Sequence, residues 1–96
     1  MKLVVVLRFW QGHMTNSFHS ESYAILLTVL IEARRDKGLT QQIVAERLRK
    51  PQSYVAKIEG GERRLDMVEF IALSQALEIK PDALFARILE AIEHLD

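Results

Sequence analysis

Residues that end or start helices divide most of this chain into short segments. Gly38, Pro51, Gly60-Gly61 and Pro81 interrupt the sequence after Ser22. Glycine ends helices because it adopts left-handed backbone easily, and proline starts a helix but cannot continue one. Between these positions apolar residues recur at the three- and four-residue spacing of a helix face. The pattern therefore predicts an all-α domain of five short helices.

The predicted helices are bounded by these residues and by two polar caps. Thr40 and Asp66 each precede an apolar-periodic run, where a short polar side chain caps a helix. The helices are predicted at about Ser22–Lys37, Gln41–Leu48, Pro51–Glu59, Met67–Leu77 and from Pro81 onward. Their inward residues are predicted to include Ile25, Leu26, Val29, Leu30, Ala33, Val44, Ala45, Leu48, Val55, Ile58, Val68, Ile71, Leu73, Leu77, Leu84 and Phe85.

The first twenty residues differ from the remainder. The β-branched run Leu3–Leu7 predicts a short β-strand. The segment Gln11–Met14 resembles a vector-derived junction, so two interpretations stay open: a native strand, or a natural start at Met14. We divide the chain into an extension, residues 1–20, and a helical domain, residues 21–96.

Composition excludes several classes of function. The chain has no cysteine, so disulfides and thiolate metal sites are ruled out. Its three histidines share no metal-ligand spacing, and no nucleophile or phosphate-loop motif occurs. No apolar run is long enough to cross a membrane. We expect no metal, no cofactor, no enzymatic activity, no membrane partner and a cytoplasmic location.

Charge is unevenly distributed although the formal net charge is zero. Residues 34–64 hold nine basic and four acidic side chains, whereas residues 65–96 hold seven acidic and two basic ones. Local potential rather than net charge steers encounter with a polyanion. The middle of the chain therefore favours a nucleic acid as partner.

The second and third predicted helices are each too short to be stable alone, and a turn of about three residues joins them. Small Ala45 would let their axes cross closely, which is typical of a helix-turn-helix. With Val55 and Ile58 inward, the third helix presents Gln52, Ser53, Ala56 and Lys57, with Tyr54 on its flank. Amide, hydroxyl and ammonium groups are the side chains that read base edges.

Residues 26–85 resemble the Cro and phage-repressor class of helix-turn-helix domains, the XRE family. The matching residues are Arg34, Gly38-Leu39-Thr40-Gln41, Val44-Ala45, Leu48, Gln52 through Glu59, Gly61 and Glu62-Arg63-Arg64. The resemblance implies a five-helix lambda-repressor-like fold. It also implies a dimer on a palindromic operator in double-stranded DNA, with helix 3 in the major groove.

The resemblance also implies roles for individual residues. Gln52, Ser53 and Lys57 are expected to contact bases, and Arg34 is expected to pair with Glu59. Gln41 is expected to hold a phosphate and to brace Gln52. The full set of expected phosphate and positioning residues is Thr40, Gln41, Lys50, Tyr54, Arg63 and Arg64.

The turn departs from the family pattern. Arg49 stands where the family usually has glycine, so a left-handed backbone there would carry strain of about 1 kcal/mol. Lys50 and Pro51 replace a common apolar residue and a common Ser or Thr cap.

The last helix has a broad apolar face for a chain of this size. Ile88, Leu89, Ile92 and Leu95 extend beyond the reach of the other helices in the predicted packing. We expect them to form a homodimer interface. The alternative is that helix 1 covers this face.

Two functions follow from these observations. The first is a sequence-specific transcriptional regulator, acting as a repressor. The second is an antitoxin or other interaction module on the same scaffold, which binds a partner protein and autoregulates its operon.

Overall fold

A computed structural model describes residues 20–94 of the 96-residue chain. This part of the chain consists of five helices, α1 (Glu21–Asp36), α2 (Gln41–Leu48), α3 (Gln52–Glu59), α4 (Met67–Ala76) and α5 (Pro81–Glu93). The predicted all-α class is confirmed. The strand predicted at residues 3–7, the alternative start at Met14 and the interface residue Leu95 lie outside the described residues.

Side-chain caps fix where three of the helices begin. The hydroxyls of Ser20 and Thr40 accept hydrogen bonds from the backbone N–H groups of Tyr23 and Ile43, both at 3.1 Å. Asp66 accepts from the N–H of Glu69, whose own carboxylate accepts from the N–H of Asp66. This reciprocal capping box satisfies N–H groups that have no partner within the helix. The caps predicted at Thr40 and Asp66 are confirmed.

A left-handed residue ends each of the first four helices. These residues are Gly38, Arg49, Gly61 and Glu78, with φ between 59° and 78°. The residue after each one donates its N–H to a carbonyl five residues back, as Lys50 does to Ala45 at 2.9 Å. This closing pattern uses helix-end carbonyls that would otherwise lack a donor. Two of the four positions carry a side chain, which costs about 1–2 kcal/mol in this conformation.

The core lies where α1 packs on α5 and α2 packs on α3 and α4. Ala33, Val44 and Ala45 have no exposed surface and belong to this core. Other buried core residues are Val29, Leu30, Val55, Ile58, Phe70, Leu73, Ala76, Leu77, Leu84 and Ile88.

The orientation of α4 differs from the prediction. Val68 and Ile71, expected to be buried, are 75% and 40% exposed, and the core face instead carries Phe70 and Ser74. Ser74 tolerates burial because its hydroxyl donates to the Phe70 carbonyl at 2.8 Å. This helix is apolar on nearly every side, so its sequence spacing does not select one face.

The face of α5 was also predicted incorrectly in two places. Phe85, expected in the core, is 50% exposed. Ile88, expected in a dimer interface, is only 3% exposed because it packs inside the chain itself. Leu89 is exposed and Ile92 is partly buried against the core.

Candidate nucleic-acid interface

The arrangement of α2 and α3 places one side of α3 at the surface. Val55 and Ile58 of α3 and Ala45 of α2 are buried, and the two helices pack against each other. The turn consists of Arg49, Lys50 and Pro51, and α3 begins at Gln52, one residue later than predicted. Pro51 has extended backbone and occupies the capping position, where its missing N–H costs nothing.

The side chains predicted to contact bases lie on the outer side of α3. Gln52, Ser53 and Lys57 are all exposed, whereas Ala56, also expected outside, is half-buried. Ser53 and Lys57 are four residues apart and therefore share a helix face. The structure thus brings an amide, a hydroxyl and an ammonium together on one accessible surface.

A chain of hydrogen bonds connects Gln52 to the interior. The Gln52 Nε2 donates to Gln41 Oε1 at 2.7 Å, and Gln41 Nε2 donates to Glu59 Oε1 at 2.8 Å. Glu59 in turn accepts two bonds from the Arg34 guanidinium, at 2.6 and 3.0 Å. Arg34 also donates to the Leu39 carbonyl at 2.8 Å. The first residues of α2 and α3 and the last residue of α3 are therefore held as one unit.

Tyr54 forms an aromatic platform beside this surface. The Lys50 Nζ lies 5.1 Å and the Arg63 Cζ 4.8 Å from the centre of its ring, both within the range of a cation–π contact. Burial, with the nearby charge of Glu69 adding to it, raises the pKa of the Tyr54 hydroxyl. Tyr54 is therefore an uncharged side chain whose ring contacts two cations.

Arg63 is engaged with an acidic partner. Its guanidinium donates twice to the carboxylate of Glu69. Hydrogen bonds from Arg63 and from the backbone N–H of Asp66 lower the pKa of the Glu69 carboxyl to about 2. The hydrogen bond to Glu69 likewise raises the pKa of Arg63. Arg63 was predicted to contact phosphate, but Glu69 balances its charge.

Three other predicted phosphate contacts also have partners within the chain. Arg64 is exposed and its Cζ lies 4.1 Å from the centre of the Tyr23 ring. Thr40 is exposed and uses its hydroxyl as the cap of α2. Lys50 is exposed beside Tyr54.

Sequence reasoning missed two contacts that hold this region in place. Arg47 donates to the Ala76 carbonyl at 2.7 Å and lies 3.5 Å from the Glu78 carboxylate, which ties α2 to the end of α4. Glu69 was not identified as the partner of Arg63. The spacing of Asp66 and Glu69 is that of a capping box and would have indicated an orienting role for Glu69.

Within residues 20–94, no group of three or more histidine, cysteine, aspartate or glutamate side chains could hold a metal ion. No helix in the same range is long and apolar enough to span a bilayer.

Comparison with known proteins identifies the family. A family model described as helix-turn-helix matches residues 30–84. An XRE-family like protein from Pseudomonas syringae pv. tomato str. DC3000 has a solved structure with a TM-score of 0.73 and 39% sequence identity; the match covers 82% of this chain and 96% of that one.

A second solved structure has a similar fold. It is a threonine-to-alanine mutant of the restriction-modification controller protein C.Esp1396I, with a TM-score of 0.71 and 23% identity over 76% of this chain and 97% of that one. A search of curated proteins finds no match. The matched residues contain both α2 and α3, and the chain therefore belongs to the XRE family of helix-turn-helix proteins, as a DNA-binding transcriptional regulator of that type.

Proposed function

We propose that this chain is a repressor that binds a palindromic operator as a homodimer and reads bases in the major groove with α3. The observation that carries the proposal is the exposed set of Gln52, Ser53 and Lys57 on a short helix whose opposite side is buried. An amide pairs with adenine, an ammonium donates to guanine, and a hydroxyl bonds to either base.

Basic and polar groups around α3 supply the contacts to the DNA backbone in this proposal. Lys50 lies just before α3 and Arg64 follows it, and both are exposed. Phosphate contacts set the position of a recognition helix without reading sequence. The first turn of α2, with Thr40 and Gln41, presents further polar groups to the same side.

Tyr54 and Arg63 have a different role in the proposal. The contacts among Tyr54, Arg63 and Glu69 hold Lys50 beside α3 and fix the loop between α3 and α4. We therefore assign Arg63 to positioning rather than to direct neutralisation of a phosphate.

The proposed dimer uses the exposed part of α5. Phe85 and Leu89 are 50% and 40% exposed, and Ile92 is partly buried beside them. Pairing these surfaces about a twofold axis would remove them from water. The two α3 helices would then be about 34 Å apart, one turn of B-DNA, as a palindrome requires.

Salt dependence of DNA binding tests the proposal. The logarithm of the binding constant should fall linearly with the logarithm of salt concentration, because phosphate contacts release counterions. Lys50→Ala should weaken binding to all sequences and reduce the slope by about one. Lys80→Ala is the matched control, because Lys80 is exposed in the acidic third of the chain, and it should leave the slope unchanged.

A second function is favoured by the surface of α4. Met67, Val68 and Ile71 are 64%, 75% and 40% exposed, and residues 20–94 do not cover them. Such a surface fits a partner protein, as in an antitoxin that also regulates its own operon. An affinity of the chain for DNA that changes little with salt concentration would favour this function over DNA recognition.

In either function we place the chain in the cytoplasm, where its DNA partner is found. The helix-turn-helix fold is typical of regulators without enzymatic activity, and we assign no catalytic step to it.

A further inference from the structure

An apolar groove lies on the side of the domain where α1, α4 and α5 meet. Its lining includes residues from all three helices and from the loop before α4: Leu26, Leu65, Met67, Phe70, Phe85 and Ile92. Among residues 20–94, Asp66 is the only charged residue that lines it, and its volume is about 200 Å³. A cavity of about 150 Å³ with a similar lining accepts a benzene ring, so this groove fits an aromatic side chain.

The groove is open to water in the part of the chain that the structure describes. Met67 and Phe85 line it and are 64% and 50% exposed. Large apolar side chains that are exposed side by side indicate a binding surface. The groove is concave, so two copies related by a twofold axis through it would face each other with hollow surfaces and fill neither. An apolar segment that protrudes into the groove fits it better.

The extension, residues 1–20, contains an apolar segment of this kind. Seven of the eight residues from Leu3 to Trp10 are apolar, so this segment gains free energy by leaving water. The charged residues of the extension are Lys2 and Arg8, both basic. Residues 65–96, which supply most of the groove, hold seven acidic and two basic side chains. Opposite charge therefore favours contact between the extension and this side of the domain.

The extension joins the domain close to the groove. It leads into α1, which begins at Glu21, and Leu26 lies about 8 Å further along that helix. The ten residues from Trp10 to Ser20 span up to about 33 Å when extended. This length is ample for the segment before it to turn back along α1 and reach the groove.

We propose that the segment Leu3–Trp10 docks in the apolar groove of its own chain. Phe85 then contributes both to the groove and to the proposed dimer interface, so the docked segment lies beside the α5 helix of a second copy. The inference goes beyond the proposed function, because it does not require the chain to bind DNA. It concerns the 96-residue chain, since a chain that began at Met14 would leave the groove open.

The fluorescence of Trp10 tests the inference directly, because this is the only tryptophan of the chain. In the full chain we expect its emission at shorter wavelength, and its quenching by acrylamide several-fold weaker, than in the chain unfolded in urea. Both values should stay the same on dilution, because docking within one chain does not depend on concentration. Emission like that of the unfolded chain, or shielding that disappears on dilution, would overturn the inference.

Phe85→Asp places a carboxylate in the groove, where covering it with an apolar segment is costly. Quenching of Trp10 should rise several-fold, toward its value in the unfolded chain. Leu89→Asp is the matched control, because it puts the same charge one turn further along α5, at a residue that does not line the groove. Trp10 should stay shielded in this control. Because Leu89→Asp should also separate the proposed dimer, shielding that survives there places the segment in its own chain.

A second pair of variants keeps the test decisive if circular dichroism shows that Phe85→Asp is unfolded. Met67 and Val68 are adjacent in the first turn of α4, where an acidic side chain is compatible with the helix. They are 64% and 75% exposed, but only Met67 lines the groove. Met67→Asp should therefore expose Trp10, and Val68→Asp should not. Equal quenching within a folded pair would overturn the inference.

The outcomes separate this inference from the proposed function, because no DNA is present in the fluorescence measurements. If Leu89→Asp exposes Trp10 as fully as Phe85→Asp does, a second copy holds the segment and the inference fails, whatever the chain does with DNA. If the chain selects no DNA sequence but Trp10 responds as described, only the proposed function fails.

Discussion

Arg34 on α1 and Glu59 at the end of α3 are joined by two hydrogen bonds, at 2.6 and 3.0 Å, and both side chains are only 10% exposed. The pair fixes the end of α3 to the first helix. A buried ion pair adds little net stability, because removing two charges from water offsets their attraction. Its value to the fold is the defined position that it gives to α3.

Removing one partner of this pair should be far more costly than the pair's net contribution. Glu59→Ala leaves the Arg34 guanidinium buried without its carboxylate, and we expect the free energy of unfolding to fall by about 3–5 kcal/mol. Urea denaturation measures this loss. Glu62→Ala, at an exposed position nearby, should change stability by only about 0.5 kcal/mol. Equal small losses in both variants would contradict the account.

The left-handed backbone of Arg49, with φ of 59°, predicts a stabilising substitution. Arg49→Gly removes the side chain that is strained there and should raise the free energy of unfolding by about 1 kcal/mol. Arg49→Ala removes the same charge but keeps a Cβ atom, so it should give no comparable gain. Thermal and urea denaturation of both variants distinguish relief of strain from loss of charge.

The lowered pKa of Glu69 predicts how stability changes in acid. The pKa is about 2 in the folded chain against an ordinary 4.5, so the folded state holds the proton less readily than the unfolded state. The stabilisation from Glu69 is therefore complete above about pH 4.5 and lost as the pH falls toward 2.

Glu69→Gln tests this dependence because glutamine can keep the capping hydrogen bond but not the charge. The variant should be less stable than the wild type at neutral pH, and the difference should narrow as the pH falls through this range. Urea denaturation of both proteins at a series of pH values measures this difference in the free energy of unfolding. A difference that is constant with pH would show that the charge of Glu69 does not act as described.

Adjacent residues on α5 should respond in opposite ways to a charge. Leu89 is 40% exposed, so Leu89→Asp should separate the proposed dimer while leaving the protomer folded. Ile88 is 3% exposed, so Ile88→Asp should unfold the protomer instead. Sedimentation together with circular dichroism measures both. A Leu89→Asp variant that stays dimeric would exclude this interface.

The sequence predicted the helices well because their ends carry strong local signals. Thr40, Asp66, Gly38 and Gly61 act through their own backbone and nearest neighbours, so their roles do not depend on the rest of the fold. The left-handed backbone at Arg49, by contrast, was expected only because the family resemblance places a glycine there.

Predictions that depended on packing were less successful. Ile88 was predicted at the surface and is buried, whereas Phe85 and Ile71 were predicted in the core and are exposed. The reason is that a helix with apolar residues on several sides has no single inward face. The link between Gln41 and Glu59 joins residues on different helices, and no local pattern indicates it.

The central claim is that α3 reads DNA sequence. It is tested most directly by measuring how tightly the wild type and Gln52→Ala bind a DNA duplex that the wild type selects from a randomised library, and each single-base variant of that duplex. If α3 lies in the major groove, Gln52→Ala should lose about 1–3 kcal/mol of discrimination at one base pair in each half-site and keep the others. An equal loss of affinity for all sequences would show that Gln52 contacts the DNA backbone and not a base. Unchanged discrimination at every base pair would contradict the account.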